Sequence, residues 1–293
     1  MLDALVVGGD SAIGREIAAG MLRHGRRVAT TTRRADCVGD GRIQFDLLNP
    51  DPGVLPPART VLIAAARAGA ECERDPAGSA AVNVVGTVAT VQRMAARGSR
   101  VVFLSTSQVF DGGEVPHAAN KQRMPKNEYA RQKAAVEDEV LALGKQGVVF
   151  RLSKVLSPTL PLLRDWSKRL AKGKSIDCFT DMTCSPISLA FAAGLVSCVI
   201  EEDGAGIYQA SADSDVSWYE IGVELAAARR CPRDLVRPVS AKDVVPSQLI
   251  FNRTAMECSR LEREFGLRPP SAMATIATIA SQVAQHYANE APS

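Results

Sequence analysis

The first 24 residues combine a short apolar strand, a glycine-rich turn and a helical pattern. Residues 4–7 form the strand, Gly8, Ser11 and Gly14 set the turn in the spacing G-x-x-S-x-x-G, and the helical pattern runs from residue 15 to about 24. Glycine lets a backbone approach a pyrophosphate closely, and a helix N-terminus offers free N–H groups and a positive dipole. The order predicts the opening of a dinucleotide-binding unit, the alternative being an ordinary strand-to-helix turn.

Apolar strands then alternate with helical segments along the first half of the chain. Predicted strands cover residues 27–31, 43–47, 61–66 and 100–107, and a predicted helix covers about 77–97. This alternation predicts an α/β fold with a Rossmann-type, doubly wound parallel sheet, whose ligand lies beyond the carboxyl ends of the strands. The predicted cofactor contacts in the turn and at strand ends are Gly8, Asp10, Ser11, Ala12, Ile13, Gly14, Asp46, Leu47, Ala64, Ala65 and Ala66.

The end of the second predicted strand distinguishes the two nicotinamide cofactors. An NAD site usually places an acid there, which accepts a hydrogen bond from the ribose 2′-OH. This chain instead has Thr32, Arg33 and Arg34. Arginine offers planar donors that match a 2′-phosphate, so the pattern favours NADP, with all three residues as predicted contacts, over a reading of the two arginines as solvated charges.

Composition excludes several classes of protein. The 293 residues are 46% hydrophobic and 23% charged, which suits one α/β domain plus a smaller lobe. A net charge of +3 does not argue for nucleic acid or an anionic membrane as a partner, and the longest apolar run, about 187–200, is shorter than the ~20 residues of a membrane span. Seven scattered cysteines and three isolated histidines predict a reducing, cytoplasmic location and no metal site.

Tyr129 and Lys133 are four residues apart in a segment that is compatible with a helix, so they share one helix face. A phenol with a pKa of roughly 10 is a poor acid at neutral pH. A fixed cation nearby is expected to lower that pKa towards the working pH of a general acid. On the pair alone, a surface helix with no catalytic role is the commoner explanation.

Two longer motifs carry a family resemblance. Residues 105–112 read S-T-S-Q-V-F-D-G, and residues 125–133 read P-K-N-E-Y-A-R-Q-K. Together with Asn83-Val-Val-Gly86-Thr87 and the segment 151–158, they resemble the extended short-chain dehydrogenase/reductases, and most of all the dTDP-4-dehydrorhamnose reductase group. The resemblance covers nearly the whole chain. It implies an NADP-binding domain over 1–158, to which Asn83 contributes a cofactor contact, and a substrate lobe over 159–293 that is partly interleaved with the sheet.

The resemblance also implies roles for individual residues. Thr106 would donate a hydrogen bond to the substrate carbonyl, Tyr129 would protonate it, and Lys133 would bind the nicotinamide ribose. Ser107 and Val109 would contact the substrate, a sugar nucleotide. Among the basic residues of the C-terminal half, Arg253 is the candidate for its diphosphate. Three positions depart from the family pattern: Ser11 replaces a glycine, Ala130 follows the tyrosine, and Ser107 stands where the reductases often have aspartate.

The residues after Thr106 distinguish between the reactions that occur on this fold. The related 4,6-dehydratases have two acids there, whereas this chain has Ser107 and Gln108, so dehydration is disfavoured. The main prediction is an NADPH-dependent reductase of a nucleotide-linked 4-keto sugar. A sugar-nucleotide epimerase and a non-catalytic NADP-binding regulatory protein remain as alternatives. The assembly we consider is a homodimer.

In the C-terminal half, Ser217 and Glu220 predict a capping box for a helix over 218–229.

Overall fold

A computed structural model of the chain describes residues 1–67, 69–113 and 115–287. The described strands, in chain order, are β1 Leu2–Val7, β2 Val28–Thr32, β3 Arg42–Gln44, β4 Ala58–Ile63, β5 Arg100–Thr106, β6 Gly147–Leu152, β7 Lys154–Leu156, β8 Ile176–Phe179, β9 Thr183–Cys184, β10 Pro186–Ser188, β11 Gly206–Ala210, β12 Val216–Ser217 and β13 Val236–Val239. The described α-helices are α1 Ala12–Arg23, α2 Ala70–Arg74, α3 Pro76–Ala80, α4 Thr87–Ala96, α5 Glu128–Leu141, α6 Pro161–Ala171, α7 Leu189–Glu201, α8 Trp218–Ala228, α9 Ser259–Phe265 and α10 Ala272–His286.

The chain divides into two compact units, each made of three segments. Unit 1 comprises Met1–Asp111, Gln122–Leu152 and Leu189–Gln209, and unit 2 comprises Gly112–Lys121, Ser153–Ser188 and Ala210–Ser293. The sequence predicted one boundary, after residue 158, with the second lobe partly interleaved with the sheet. The structure instead returns the chain to unit 1 at α7, because this apolar helix packs on α1.

Unit 1 is built on a seven-stranded sheet in the order β11-β6-β5-β4-β1-β2-β3. The pairings from β6 through β3 are all parallel, as predicted for a Rossmann-type fold. Its strands are buried apolar runs, with residues such as Leu5, Val61 and Val101 fully inaccessible, because helices cover both faces of such a sheet. The strand order reverses between β1 and β4, and a doubly wound sheet binds its ligand at that point, beyond the carboxyl ends.

The helix that the sequence predicts over 77–97 is interrupted. Residues 81–86 form a π-helical segment between α3 and α4. At its end the backbone of Gly86 lies so close to Leu47 that a side chain there would place its Cβ 1.7 Å from the Leu47 carbonyl oxygen. Glycine is therefore required, and the wider π turn brings the segment against the loop that follows β3.

Unit 2 has its own apolar core around α6, α8 and α10. Trp166 and Trp218 meet edge to face with ring centroids 6.1 Å apart. The predicted capping box at the start of α8 is present: the Ser217 hydroxyl accepts from the Glu220 N–H at 3.1 Å, and the Glu220 carboxylate accepts from the Ser217 N–H at 2.6 Å. Short strand pairs, β7 with β10, β8 with β13 and β9 with β12, complete this unit.

Candidate active site

The turn after β1 is shaped for close approach of a ligand. Gly8 has φ +100°, and a Cβ there would lie 2.5 Å from the backbone N of Ala65. A Cβ at Gly14 would lie 2.4 Å from the carbonyl oxygen of Gly8. Ser11, the departure from the family pattern, caps α1: its hydroxyl donates to the Gly8 carbonyl at 2.8 Å and accepts from the Gly14 N–H at 3.0 Å. Ser11 thus fixes the turn that a third glycine would only permit.

A cavity of about 330 Å³ opens beside this turn within unit 1. It is lined by Val7, Gly8, Asp10, Ser11, Thr31, Thr32, Arg33, Phe45, Asp46, Leu47, Ala64, Ala65, Ala66, Arg67, Glu71 and Val82. Most of the predicted cofactor contacts are thereby brought together at the carboxyl ends of β1, β2 and β4. The predicted contacts outside this lining are Ala12, Ile13, Gly14, Arg34, Asn83, Tyr129 and Lys133. The residues fit a dinucleotide, since a glycine cradle and a helix N-terminus adjoin a cavity with polar side chains in its lining.

A basic cluster surrounds one carboxylate at the edge of this cavity. Asp10 accepts from the Thr32 hydroxyl at 2.8 Å and from Arg42 Nη2 at 2.6 Å, and Arg34 Nη2 lies 3.8 Å from it. The Thr32 hydroxyl also accepts from the Arg34 N–H at 3.1 Å. Sequence reasoning missed Arg42, because only the β2–β3 pairing, with Thr30 opposite Arg42, brings it here.

Asn83 lies away from the cavity surface and supports the loop after β4. Its buried side chain accepts from the Arg67 N–H and donates to the Arg67 carbonyl, both at 2.8 Å, and it also donates to Gln132 Oε1 at 2.7 Å. Gln132 belongs to α5, one residue before Lys133. Asn83 therefore fixes the cavity wall to the helix that carries the tyrosine and lysine.

Arg67 and Glu71 are further cavity residues that the sequence analysis did not select. Arg67 Nε lies 3.5 Å from the Glu71 carboxylate, and Arg67 Nη1 lies 3.2 Å from that of Asp75. No residue pattern pointed to them, because their position depends on how the short α2 and α3 helices fold back after β4.

Helix α5 places Tyr129 and Lys133 one turn apart, as their spacing predicts. Asn127 caps the helix by accepting from the Ala130 N–H at 2.8 Å. Lys133 is buried, donates to the Leu104 carbonyl at 2.8 Å, and lies 5.7 Å from the centroid of the Tyr129 ring. The backbone of β5 therefore holds the ammonium at a defined distance from the partly buried phenol.

The pKa values of this pair differ from the sequence-based expectation. Burial raises the pKa of Tyr129, with a smaller contribution from the Cys72 thiol, instead of the predicted lowering by Lys133. Burial lowers the pKa of Lys133 to about 8, while the Glu137 carboxylate opposes this shift. Desolvation outweighs the attraction between phenolate and ammonium because both groups leave water together.

Thr106 ends β5, and the next residues form a tight turn. Thr106 is buried, and its hydroxyl accepts from the Gln108 N–H at 3.2 Å. Ser107 is buried as well, and the Val109 side chain is completely buried, so it offers no surface to a ligand. Arg253, the predicted diphosphate contact, is an exposed residue of unit 2.

The described residues were also searched for metal-ligand groups, disulfides and membrane-spanning helices. No group of three His, Cys, Asp or Glu residues in the described ranges could hold a metal ion. All seven cysteines are described, and all are free thiols. No described helix is both long enough and apolar enough to cross a bilayer.

A Rossmann-type sheet with a glycine turn at its switch point, together with Thr106 at the end of β5 and with Tyr129 and Lys133 on α5, defines an extended short-chain dehydrogenase/reductase. Comparison with known families narrows this class. A family model described as RmlD substrate binding domain matches residues 2–285, and the chain belongs to this family. The predicted family, fold class and enzyme class are confirmed.

Individual relatives are distant. The chain is 27% identical over 252 residues to a dTDP-4-dehydrorhamnose reductase of Mycobacterium tuberculosis, covering 81% of this chain and 79% of the relative. It is 25% identical over 209 residues to the methionine adenosyltransferase 2 subunit beta of Xenopus laevis, covering 68% and 62%. The crystal structure of a Bacillus anthracis dTDP-4-dehydrorhamnose reductase in complex with NADP superposes with a TM-score of 0.82 at 17% identity, over 95% of this chain and 99% of that one.

Proposed function

We propose that this chain is an NADPH-dependent reductase of a nucleotide-linked 4-keto sugar. The observation that carries the proposal is the pairing of a buried Lys133 ammonium with the Tyr129 phenol on α5, one element away from Thr106 at the carboxyl end of β5. Similarity to reductases of this substrate class supports the choice of sugar nucleotide.

The proposed chemistry divides between cofactor and protein. When bound, the cofactor supplies a hydride to the carbonyl carbon. The raised pKa of Tyr129 keeps its proton in place at neutral pH, so the phenol donates it to the carbonyl oxygen as negative charge develops there. With a pKa of about 8, Lys133 remains charged at neutral pH and stabilises the phenolate that is left. Thr106 orients the carbonyl by a hydrogen bond from its hydroxyl.

The basic cluster supports NADPH as the cofactor. Arg33 lines the cavity, and two further guanidinium groups, those of Arg34 and Arg42, lie 3.8 Å and 2.6 Å from the Asp10 carboxylate at its edge. Guanidinium groups at this edge of the cavity suit a 2′-phosphate, which carries close to two negative charges.

Arg33→Ala is expected to weaken NADPH binding and to leave NADH binding almost unchanged. A hydrogen bond to a charged group contributes about 1.5–3 kcal/mol, so the Kd for NADPH should rise roughly tenfold to a hundredfold. Arg59→Ala, at an exposed arginine that pairs with Asp203, is the matched control. Fluorescence titration of both cofactors provides the measurement; equal affinity of the wild type for NADH and NADPH would show that the cluster does not read the phosphate.

The residues after Thr106 argue against elimination of water. Ser107 is buried, and the Gln108 side chain accepts a hydrogen bond from Asn127 at 3.0 Å, so neither position offers an acid or base. We expect no 4-keto-6-deoxy product when the protein is incubated with a hexose nucleotide and NAD(P)⁺. Mass spectrometry of the reaction gives the test, and a product lighter by one water would assign the chain to the dehydratases instead.

One other function has a specific observation in its favour. Similarity to a subunit of methionine adenosyltransferase raises a non-catalytic, NADP-binding regulatory role. Oxidation of NADPH with a panel of 4-keto sugar nucleotides separates the two, because only the reductase consumes the cofactor. Epimerisation stays an alternative on the same fold. The same panel tests it, because an epimerase converts its substrate with no net consumption of the cofactor.

Compartment and assembly complete the proposal. Seven free thiols are typical of a reducing compartment, which supports the cytoplasm. Homodimer formation stays a prediction, for which light scattering on the purified chain is the measurement.

A further inference from the structure

Asp10 places a carboxylate beside the strand end that distinguishes the two cofactors. It lies in the glycine turn and lines the cavity of unit 1. Its Oδ2 accepts from the hydroxyl of Thr32, the last residue of β2, at 2.8 Å. An NAD site usually has an acid at the end of β2, which accepts from the ribose 2′-OH. This chain has threonine at that position, but a carboxylate from the neighbouring turn lies within hydrogen-bond distance of it.

The turn that carries Asp10 is fastened to β2 through its backbone. The Gly8 N–H donates to the Thr31 hydroxyl, and the Gly9 N–H donates to the Thr31 carbonyl, both at 3.0 Å. On the helix side, Arg15 Nη1 donates to the Asp10 carbonyl at 2.7 Å. The position of the carboxylate is therefore set by the turn itself and does not depend on a bound ligand.

The same carboxylate compensates two arginines at the cavity edge. Arg42 Nη2 lies 2.6 Å from Asp10 Oδ1, and Arg34 Nη2 lies 3.8 Å from it, whereas Arg33 lines the cavity itself. A 2′-phosphate bound at this edge would bring its negative charge close to that of Asp10. Like charges at such short range repel, so Asp10 opposes the attraction that the arginines exert.

We propose that Asp10 sets the ratio of NADH to NADPH affinity, by accepting a hydrogen bond from a ribose 2′-OH and by repelling a 2′-phosphate. The inference rests on the proposed function, because it takes the ligand to be a nicotinamide dinucleotide. Arg33 favours the phosphate and Asp10 opposes it. The preference for NADPH is therefore narrower than the arginines alone would give, and the cavity accepts either reduced cofactor.

A purely structural role for Asp10 predicts the opposite sign. If the carboxylate only held Arg34 and Arg42 in place for the phosphate, its removal would release them and weaken NADPH binding. If the carboxylate repels the phosphate, its removal strengthens NADPH binding. The direction of the change therefore separates the two roles.

The test titrates NADH and NADPH separately into the protein and follows binding by fluorescence. Asp10→Asn keeps the shape and removes the charge, and Asp51→Asn, at an exposed aspartate of unit 1 that accepts from the Gly53 N–H, is the matched control. In Asp10→Asn the Kd for NADPH should fall roughly fivefold to tenfold, because a like charge is removed. The Kd for NADH should rise roughly fivefold to tenfold, because a neutral amide is a weaker acceptor than a carboxylate. Asp10→Glu retains the charge and should show no gain in NADPH affinity.

Only opposite shifts of the two Kd values support the inference. A rise in the Kd for NADPH, a shift for one cofactor alone, or no shift relative to Asp51→Asn overturns it, as does a wild type that binds neither cofactor. Circular dichroism shows that each variant is folded. The titration needs no sugar substrate, so its failure is separate from failure of the proposed reduction, which NADPH oxidation with the keto-sugar panel measures.

Discussion

Tyr129→Phe is expected to lower kcat by about 10²–10⁴-fold, the usual contribution of a general acid, while the Kd for NADPH stays within about two-fold. The substitution keeps the ring that lies 5.7 Å from the Lys133 ammonium and removes only the hydroxyl. Because burial already raises the pKa of this phenol, the proton that is lost is one held firmly until the substrate oxygen becomes negative.

Single-turnover measurement of NADPH oxidation gives the relevant rate, since it separates chemistry from product release. Tyr219→Phe, at a partly buried tyrosine of unit 2, is the matched control and should leave kcat unchanged. Turnover of Tyr129→Phe within a few-fold of the wild type would remove Tyr129 from the role of acid.

The second large effect is expected on stability: Glu137→Gln should lower the free energy of unfolding by about 3–5 kcal/mol. The carboxylate is completely buried and accepts from Arg151 Nη2 at 2.7 Å and from the Ser105 hydroxyl at 2.5 Å. Glutamine has the same shape but leaves the Arg151 guanidinium, only 2% exposed, as a buried charge without its anion.

Asp138→Asn provides the comparison for this effect. Asp138 is the next residue on α5, and its side chain, 65% exposed, pairs with Arg123 at the surface. An exposed ion pair contributes about 1 kcal/mol or less, so urea unfolding should separate the two variants clearly. A loss for Glu137→Gln no larger than that for Asp138→Asn would show that the buried Glu137–Arg151 pair, which joins α5 to β6, contributes no more than an exposed ion pair.

Local patterns account for what could be predicted of the site. The glycine turn and the Tyr129–Lys133 pair each depend on a few consecutive residues, so spacing alone places them on a turn and on one helix face. Arg42 and Arg67 escaped prediction because strand pairing and a folded-back loop bring them to the cavity. The predicted lowering of the Tyr129 pKa was wrong for a related reason. The shift depends on burial of the phenol, which the residues beside it in sequence do not determine.

In the larger architecture too, local patterns were predictable, whereas features that depend on long-range packing were not. Alternating strands and helices predicted the parallel sheet, and Ser217 with Glu220 predicted the start of α8. No residue pattern predicted the π-helical turn at 81–86, since this turn depends on the close approach of Gly86 to Leu47. The resemblance implied that the second lobe is partly interleaved with the sheet, but it did not single out α7 as the helix that returns to unit 1, because an apolar helix fits either unit until its packing partner is known.

The return of α7 and β11 to unit 1 limits where the chain can be cut into fragments. The seventh strand of the unit 1 sheet, β11, ends at Ala210 and pairs with β6. A fragment that stops at residue 158 would leave β6 as an open edge and α1 without its apolar neighbour α7, and open edges of this kind invite intermolecular strand pairing and aggregation. Exchange of substrate lobes between relatives therefore requires transplanting three separate segments, because a C-terminal cut would remove part of the nucleotide-binding sheet with the lobe.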